Sequence, residues 1–151
     1  KIIGETDIDV DFVFNENYKQ GQFSSLKKGV ASLSKECTAA IVCLVDQPHI
    51  HSNWVRLLVK EKSKNGSWII RLKFGGKSGH PLLISKELFQ EIITMPSKAT
   101  AKDLMKKYND QTEFIESGSD GILYDADTPA DFEFIKRYMT MRASEGFPPD
   151  A

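Results

Sequence analysis

The sequence predicts an α/β domain with a mostly parallel sheet. Short apolar, β-branched runs alternate with helical stretches of about ten residues. Clusters of Gly, Pro, Asn and Asp punctuate them. Two apolar runs also end in carboxylates followed by a proline. Residues 39–44 (AAIVCL) lead into Val45-Asp46-Gln47-Pro48, and residues 121–124 (GILY) lead into Asp125-Ala126-Asp127-Thr128-Pro129. In open α/β sheets, ligands bind beyond the carboxyl ends of the strands.

Taken in order, residues 11–15 (DFVFN) read as a short strand and 15–22 as a polar loop with Gly21 as its flexible point. Ser24 is expected to cap a helix whose inner face carries Leu26, Val30 and Leu33, with Lys27 and Lys28 outside. Residues 39–45 form a buried strand by their unbroken apolar content. A second helix is expected over 51–63, with Val55, Leu58 and Val59 on one face and Asn65-Gly66 as its stop.

Residues 68–72 (WIIRL) read as a strand, 74–79 (FGGKSG) as a glycine-rich connection and 81–84 (PLLI) as resumed extended structure. Ser85 begins a helix to about residue 94, and a short helix spans roughly 100–108. Strands are expected at 112–116 and 122–124, separated by Gly118 and Gly121. Thr128-Pro129-Ala130-Asp131 starts the last helix, with proline at the first position, where a missing N–H is tolerated. The tail, 145–151, reads as polar and frayed.

At 151 residues the chain suits one domain with a full core. It is 40% hydrophobic and 27% charged, with a formal net charge of −1, which gives no electrostatic case for nucleic acid or an anionic membrane. No apolar run is long enough to span a bilayer, and no signal-peptide pattern opens the chain. Cys37 and Cys43 suit neither a zinc site nor a redox pair; two reduced thiols fit a cytoplasmic protein.

Asp46 at a strand end reads as a metal ligand or catalytic carboxylate, with a turn-forming residue that caps the following loop as the plainer reading. Asp125 and Asp127 form a second carboxylate cluster at another strand end; the plainer reading makes them an edge residue and a neighbour of a helix cap. Oxygens from two strand ends can share one Mg²⁺, an ion that otherwise keeps waters and takes substrate phosphates. His49 and His51 with Asp46 offer a weaker zinc or iron set with no further ligand in view. Residues 75–81 (GGKSGHP) lack Walker spacing. They read as a hairpin turn with glycines at positive φ, or as a loop whose backbone approaches a ligand beside His80. Residues 21–25 (GQFSS) lead into a helix start whose free N–H groups suit an anion or polar ligand edge, or simply an N-cap.

Four segments in order carry a resemblance: 15–29 (NENYKQGQFSSLKKG), 44–48 (LVDQP), 79–84 (GHPLLI) and 121–131 (GILYDADTPAD). Together they resemble the molybdenum cofactor cytidylyltransferase group of the MobA-like nucleotidyltransferases over roughly residues 11–138. The resemblance implies a Rossmann-like, three-layer nucleotidyltransferase fold, one domain over 1–151. It implies transfer of a nucleoside monophosphate, CMP from CTP by the Gly-His-Pro form, to a small phosphorylated acceptor such as molybdenum cofactor, with release of pyrophosphate. By the same resemblance Asp46 and Asp127 are the catalytic Mg²⁺ ligands with Asp125 beside them. Gln22, Phe23, Ser24 and Ser25 border the nucleotide, and Gly79, His80 and Pro81 line the acceptor side. A molybdoenzyme or its chaperone is the implied protein partner.

The chain departs from that pattern at its start. The family's first strand and its glycine-rich triphosphate loop have no counterpart here, and residues 1–6 (KIIGET) match the stretch just after that loop. The expectation is an N-terminally incomplete domain, inactive as given. A second departure is Arg71-Leu72, where the family often has a proline. Two rival readings stand beside the enzyme: a nucleotide-sugar glycosyltransferase using Asp125-Ala126-Asp127, and a non-catalytic domain of the same fold that binds a partner or nucleotide.

Overall fold

The computed structural model describes residues 10–144. The readings for residues 1–6 and for the tail lie outside them. Four strands form one sheet: β1 (Ala39–Val42), β2 (Ile69–Phe74), β3 (Lys77–Ser85) and β4 (Thr112–Glu116), in the order β1-β3-β2-β4. β3 pairs antiparallel with both β1 and β2, whereas β2 and β4 pair in parallel. Three strands therefore share one direction, and β3 alone runs against them. Its reversal follows from the turn before it. Gly75 and Gly76 have φ of 55° and 79°, the doubly left-handed pair that a two-residue hairpin requires. The GGKSGHP stretch is thus a hairpin turn running straight into β3.

Helices lie on both faces. α1 (Gln22–Ala31), α3 (Phe89–Thr94) and α4 (Ala101–Lys107) cover one face, where Phe23, Val30, Leu88, Ile92 and Leu104 pack on Ile69, Leu82 and Ile84. α2 (Ser52–Asn65) covers the other, where Trp54 and Leu58 pack on Ile70, Leu72 and Leu83. The split of Ile69 from Ile70, and of Leu83 from its two neighbours, is the period of two of a pleated strand. Burying such side chains supplies about 1.5–3 kcal/mol each, enough to hold a three-layer stack around a short sheet.

Several expectations hold. α2 ends at Gly66 with φ of 63°. Thr100 and Asp103 form a capping box at the start of α4. α5 (Pro129–Ser144) opens with Pro129, and Thr128 exchanges hydrogen bonds with Asp131 in the same manner.

Others are corrected. Residues 11–15 are not a strand: no described strand pairs with them, and Phe12 and Phe14 are 72% and 74% exposed. β1 stops at Val42, lies at an edge of the described sheet and is only half-buried. Ser24 is not the cap of α1. Gly21, at φ 102°, takes that place, and the Ser24 hydroxyl turns back to the Gly21 and Asn17 carbonyls. Val59 points outward on α2, whose inner stripe is Trp54 and Leu58. Residues 122–124 are not a strand either. Asp120–Leu123 is a single 3₁₀ turn, which the Ser119 hydroxyl caps by accepting from Gly121 N–H.

Candidate active site

The chain leaves β1 and turns at once. Gln47 N–H donates to the Leu44 carbonyl at 3.2 Å, which brings Asp46 to the tip of the turn. The other acidic segment arrives from the 3₁₀ turn after β4. Ala126 N–H donates to the Asp46 carbonyl at 2.7 Å, and Gln47 Nε2 donates to Asp125 Oδ1 at 2.8 Å. Two stretches 78 residues apart are thus stitched together by one backbone and one side-chain bond. Asp127 follows directly after Ala126, exposed and with no hydrogen bond or ion pair among the described residues.

A buried carboxylate oxygen without a partner is costly. Asp46 Oδ1 is in that position, and beside it the neutral amide oxygen Gln47 Oε1 is also buried without a partner. Hard, anionic oxygen donors on converging segments fit a Mg²⁺ or Mn²⁺ ion that keeps waters and shares substrate phosphates. They do not form a closed cage, since no group of three His, Cys, Asp or Glu suited to a metal exists among the described residues.

His80 belongs to the same neighbourhood. It sits in β3, where β2 and β3 slip register between Arg71 and Lys73, and a cis bond joins it to Pro81. Burial first, and then the nearby Arg71 charge, hold its pKa below the usual histidine value, while Asp125 and Asp46 pull the other way. His80 therefore stands within electrostatic reach of both carboxylates and of a cation. Pro81 is buried, and Gly79 is buried for a reason of its own: a Cβ there would lie 1.8 Å from the Ile122 carbonyl oxygen. The close approach at Gly79 is to the chain's own backbone.

The other predicted residues divide. Phe23 is a core residue under the sheet. Ser24 and Ser25 both accept from Asn15 Nδ2, at 2.9 and 3.0 Å, so the first loop is laced to the start of α1, and Gln22 is exposed beside them. No hydrogen bond joins this group to the Asp46–Asp125 seam among the described residues. The zinc or iron reading does not hold. His49 Nε2 donates to the Gly121 carbonyl at 2.7 Å and its ring packs edge-on against Tyr138, while His51 caps α2. Tyr124, on the same aromatic cluster, has its pKa pushed up to about 12, first by its hydrogen bond to Asp120.

Sequence reasoning gave no role to Gln47 or Arg71. Gln47 could have been found as the polar side chain next to Asp46; Arg71 is one of two charges in β2, and nothing in the sequence separates it from Lys73, which pairs with Glu116.

Two acidic turns, one after β1 and one after the 3₁₀ turn, thus meet beside a three-layer α/β sheet. The sequence matches the MobA-like NTP transferase domain family over residues 4–112, and the chain belongs to that family. The matched stretch includes Asp46 and His80 but ends before Asp125 and Asp127.

No match was found among curated proteins. Among solved structures, the chain is similar to the Rv0371c homolog from Mycobacterium sp. strain JC1, with 20% identity and a TM-score of 0.63 over 80% of this chain and 59% of that one. It is likewise similar to Rv0371c from Mycobacterium tuberculosis H37Rv, with 19% identity and a TM-score of 0.64 over 77% of this chain and 60% of that one. A structure of that protein in complex with manganese matches at 20% identity and a TM-score of 0.58, over 74% of this chain and 58% of that one. At such identities the likeness is one of fold. The chain spans about three-fifths of the length of these structures.

Proposed function

We propose that the chain is part of a nucleotidyltransferase that moves a nucleoside monophosphate, CMP from CTP, onto a phosphate-bearing acceptor such as molybdenum cofactor. The observation that carries this reading is the Asp46 carboxylate: one buried oxygen without a partner, beside Asp125, in a chain of this family. Asp46 and Asp127, with Asp125, would hold Mg²⁺; the manganese complex of one structural neighbour supports a divalent ion. Such an ion neutralises phosphate charge and steadies in-line displacement at phosphorus.

The protein's own part is positioning. The Ala126–Asp46 and Gln47–Asp125 bonds fix the two acidic segments against each other, so little reorganisation is needed when charge develops. The acceptor's phosphate oxygen attacks the α-phosphorus, the bond from that phosphorus to the bridging oxygen breaks, and pyrophosphate leaves with the electron pair. No protein nucleophile takes part. Gly79, His80 and Pro81 would border the acceptor and residues 22–25 the nucleotide. The choice of cytosine rests on the Gly79-His80-Pro81 form. A molybdoenzyme or its chaperone would receive the product. No helix among the described residues is long and apolar enough to cross a membrane.

The test is transfer of label from α-phosphate-labelled CTP by the full-length protein, wild type against Asp46→Asn. A loss of at least about 100-fold, near 3 kcal/mol in the barrier, with an unchanged circular dichroism spectrum is expected. Normal turnover by Asp46→Asn refutes the metal assignment, and turnover only with sugar donors refutes the reaction.

A further inference from the structure

The sheet carries a basic side chain that no carboxylate pairs with among the described residues. Arg71 lies in β2, in register with Leu82 of β3 and Phe114 of β4. By alternation it shares the face of Ile69, the face that α1, α3 and α4 cover. Two residues on, Lys73 is paired with Glu116 at 3.4 Å. Arg71 has no ion pair among the described residues, and its buried Nε has no hydrogen-bond partner. Its guanidinium carbon sits 5.9 Å from the centre of the Phe114 ring, within the range of a cation–π contact.

Burial lowers the pKa of Arg71, with no offset from a neighbouring carboxylate, although Asp46 and Asp125 both act on His80 close by. His80, on the strand next to Arg71, feels both that cation and the acidic seam. An apolar residue at position 71 would pack there without desolvating a charge. The ring of Phe114 also restrains the guanidinium, so less freedom is lost when it takes up a ligand. A planar fork of N–H donors matches the paired oxygens of a phosphate.

We propose that Arg71 is a specificity-determining residue of the acceptor side, its guanidinium receiving the phosphate of the incoming substrate beside His80. The identity of that phosphate as the acceptor's rests on the nucleotidyl-transfer reading; the anion site itself does not. The division of labour is one of charge. The acidic seam attracts the cation, and Arg71 holds a dianion that the carboxylates would otherwise repel.

The experiment is titration of the full-length protein with inorganic phosphate at constant ionic strength, followed by the ring resonances of His80. His80→Gln assigns that signal among the three histidines of the chain. Wild type should bind phosphate saturably with a shift of the His80 signal. Arg71→Met should weaken binding at least ten-fold, and Arg71→Lys should recover part of it, because lysine returns the charge but not the fork. The thermal midpoint of Arg71→Met should be unchanged or raised, which separates loss of a ligand group from loss of structure. Undiminished binding by Arg71→Met, no binding by wild type, or a His80 signal that does not move overturns the proposal. Label transfer from CTP, measured in parallel, keeps the two readings apart. Transfer with Arg71-independent phosphate binding sinks only this inference. Arg71-dependent binding without transfer sinks only the nucleotidyltransferase reading.

Discussion

On the face covered by α2, Ile70, Leu72 and Leu83 are sealed by Trp54, Leu58 and Ile122. On the opposite face Ile69, Leu82 and Ile84 are sealed under α1, α3 and α4, yet further along that face Arg71 and Phe114 stay partly open. Both faces are built from the same strands, residue by residue in alternation. One β-strand can therefore contribute a closed core on one side and a half-open shelf on the other, with no change in backbone. The closed face keeps the sheet rigid, and the half-covered face, next to the strand ends, is where a ligand can still reach polar atoms.

The sharpest way to break this comparison is to add one carbon to the closed face. A Cβ on Gly79 would lie 1.8 Å from the Ile122 carbonyl oxygen and 2.6 Å from its carbon, both backbone atoms that cannot swing aside. Gly79→Ala should cost more than about 3 kcal/mol or prevent folding. Gly76→Ala, at φ 79° with open space around it, should cost only about 1–2 kcal/mol from backbone strain. Urea midpoints for both variants check this; equal losses would mean that the β3–Ile122 contact is softer than its geometry implies.

A second pair of truncations sharpens the contrast by removing side chains. Leu58 is fully buried under the α2 face, and Leu58→Ala should cost about 2–5 kcal/mol. Phe114, 40% exposed on the open shelf, should cost clearly less when truncated to alanine, even though its ring is larger. Comparable losses at the two positions would show the shelf to be part of the core.

Much of this was readable in the sequence, and the parts that were not share a cause. The start of α5 was legible because Thr128, Pro129 and Asp131 act within one turn. β2 and β4 were legible because their apolar runs are bounded by turn residues. Residues 122–124 misled because their apolar run is held as a 3₁₀ turn by the adjacent Ser119 cap and by a distant contact, the His49 bond to the Gly121 carbonyl. Residues 11–15 look like a strand, but no described strand pairs with them. Of the candidate site, strand-end position drew attention to Asp46, Asp125 and Asp127, but the segment before Asp125 is a 3₁₀ turn and not a strand, and it is the Gln47–Asp125 and Ala126–Asp46 bonds that bring the two segments together. Arg71 was not legible as a site residue. Its meaning lies in what it lacks, an answering carboxylate, and only the packed structure reveals that.

The smallest expected effect is a pH dependence of stability at the shelf. Burial and the Arg71 charge place the folded-state pKa of His80 below its ordinary value of about 6.5. Above that value the imidazole is neutral in both folded and unfolded chains, and His80 contributes nothing. As pH falls below it, the unfolded chain takes up the proton first, so stability is lost. The loss stops growing once pH has passed the depressed folded value, where both states are charged. Urea unfolding of the metal-free protein between pH 7.5 and 5 should therefore show a decline that His80→Gln flattens. Arg71→Met should reduce the same decline without removing it, because burial, the larger cause, remains. A slope untouched by His80→Gln would assign the titration to another group and leave the shelf electrically uncoupled from the fold.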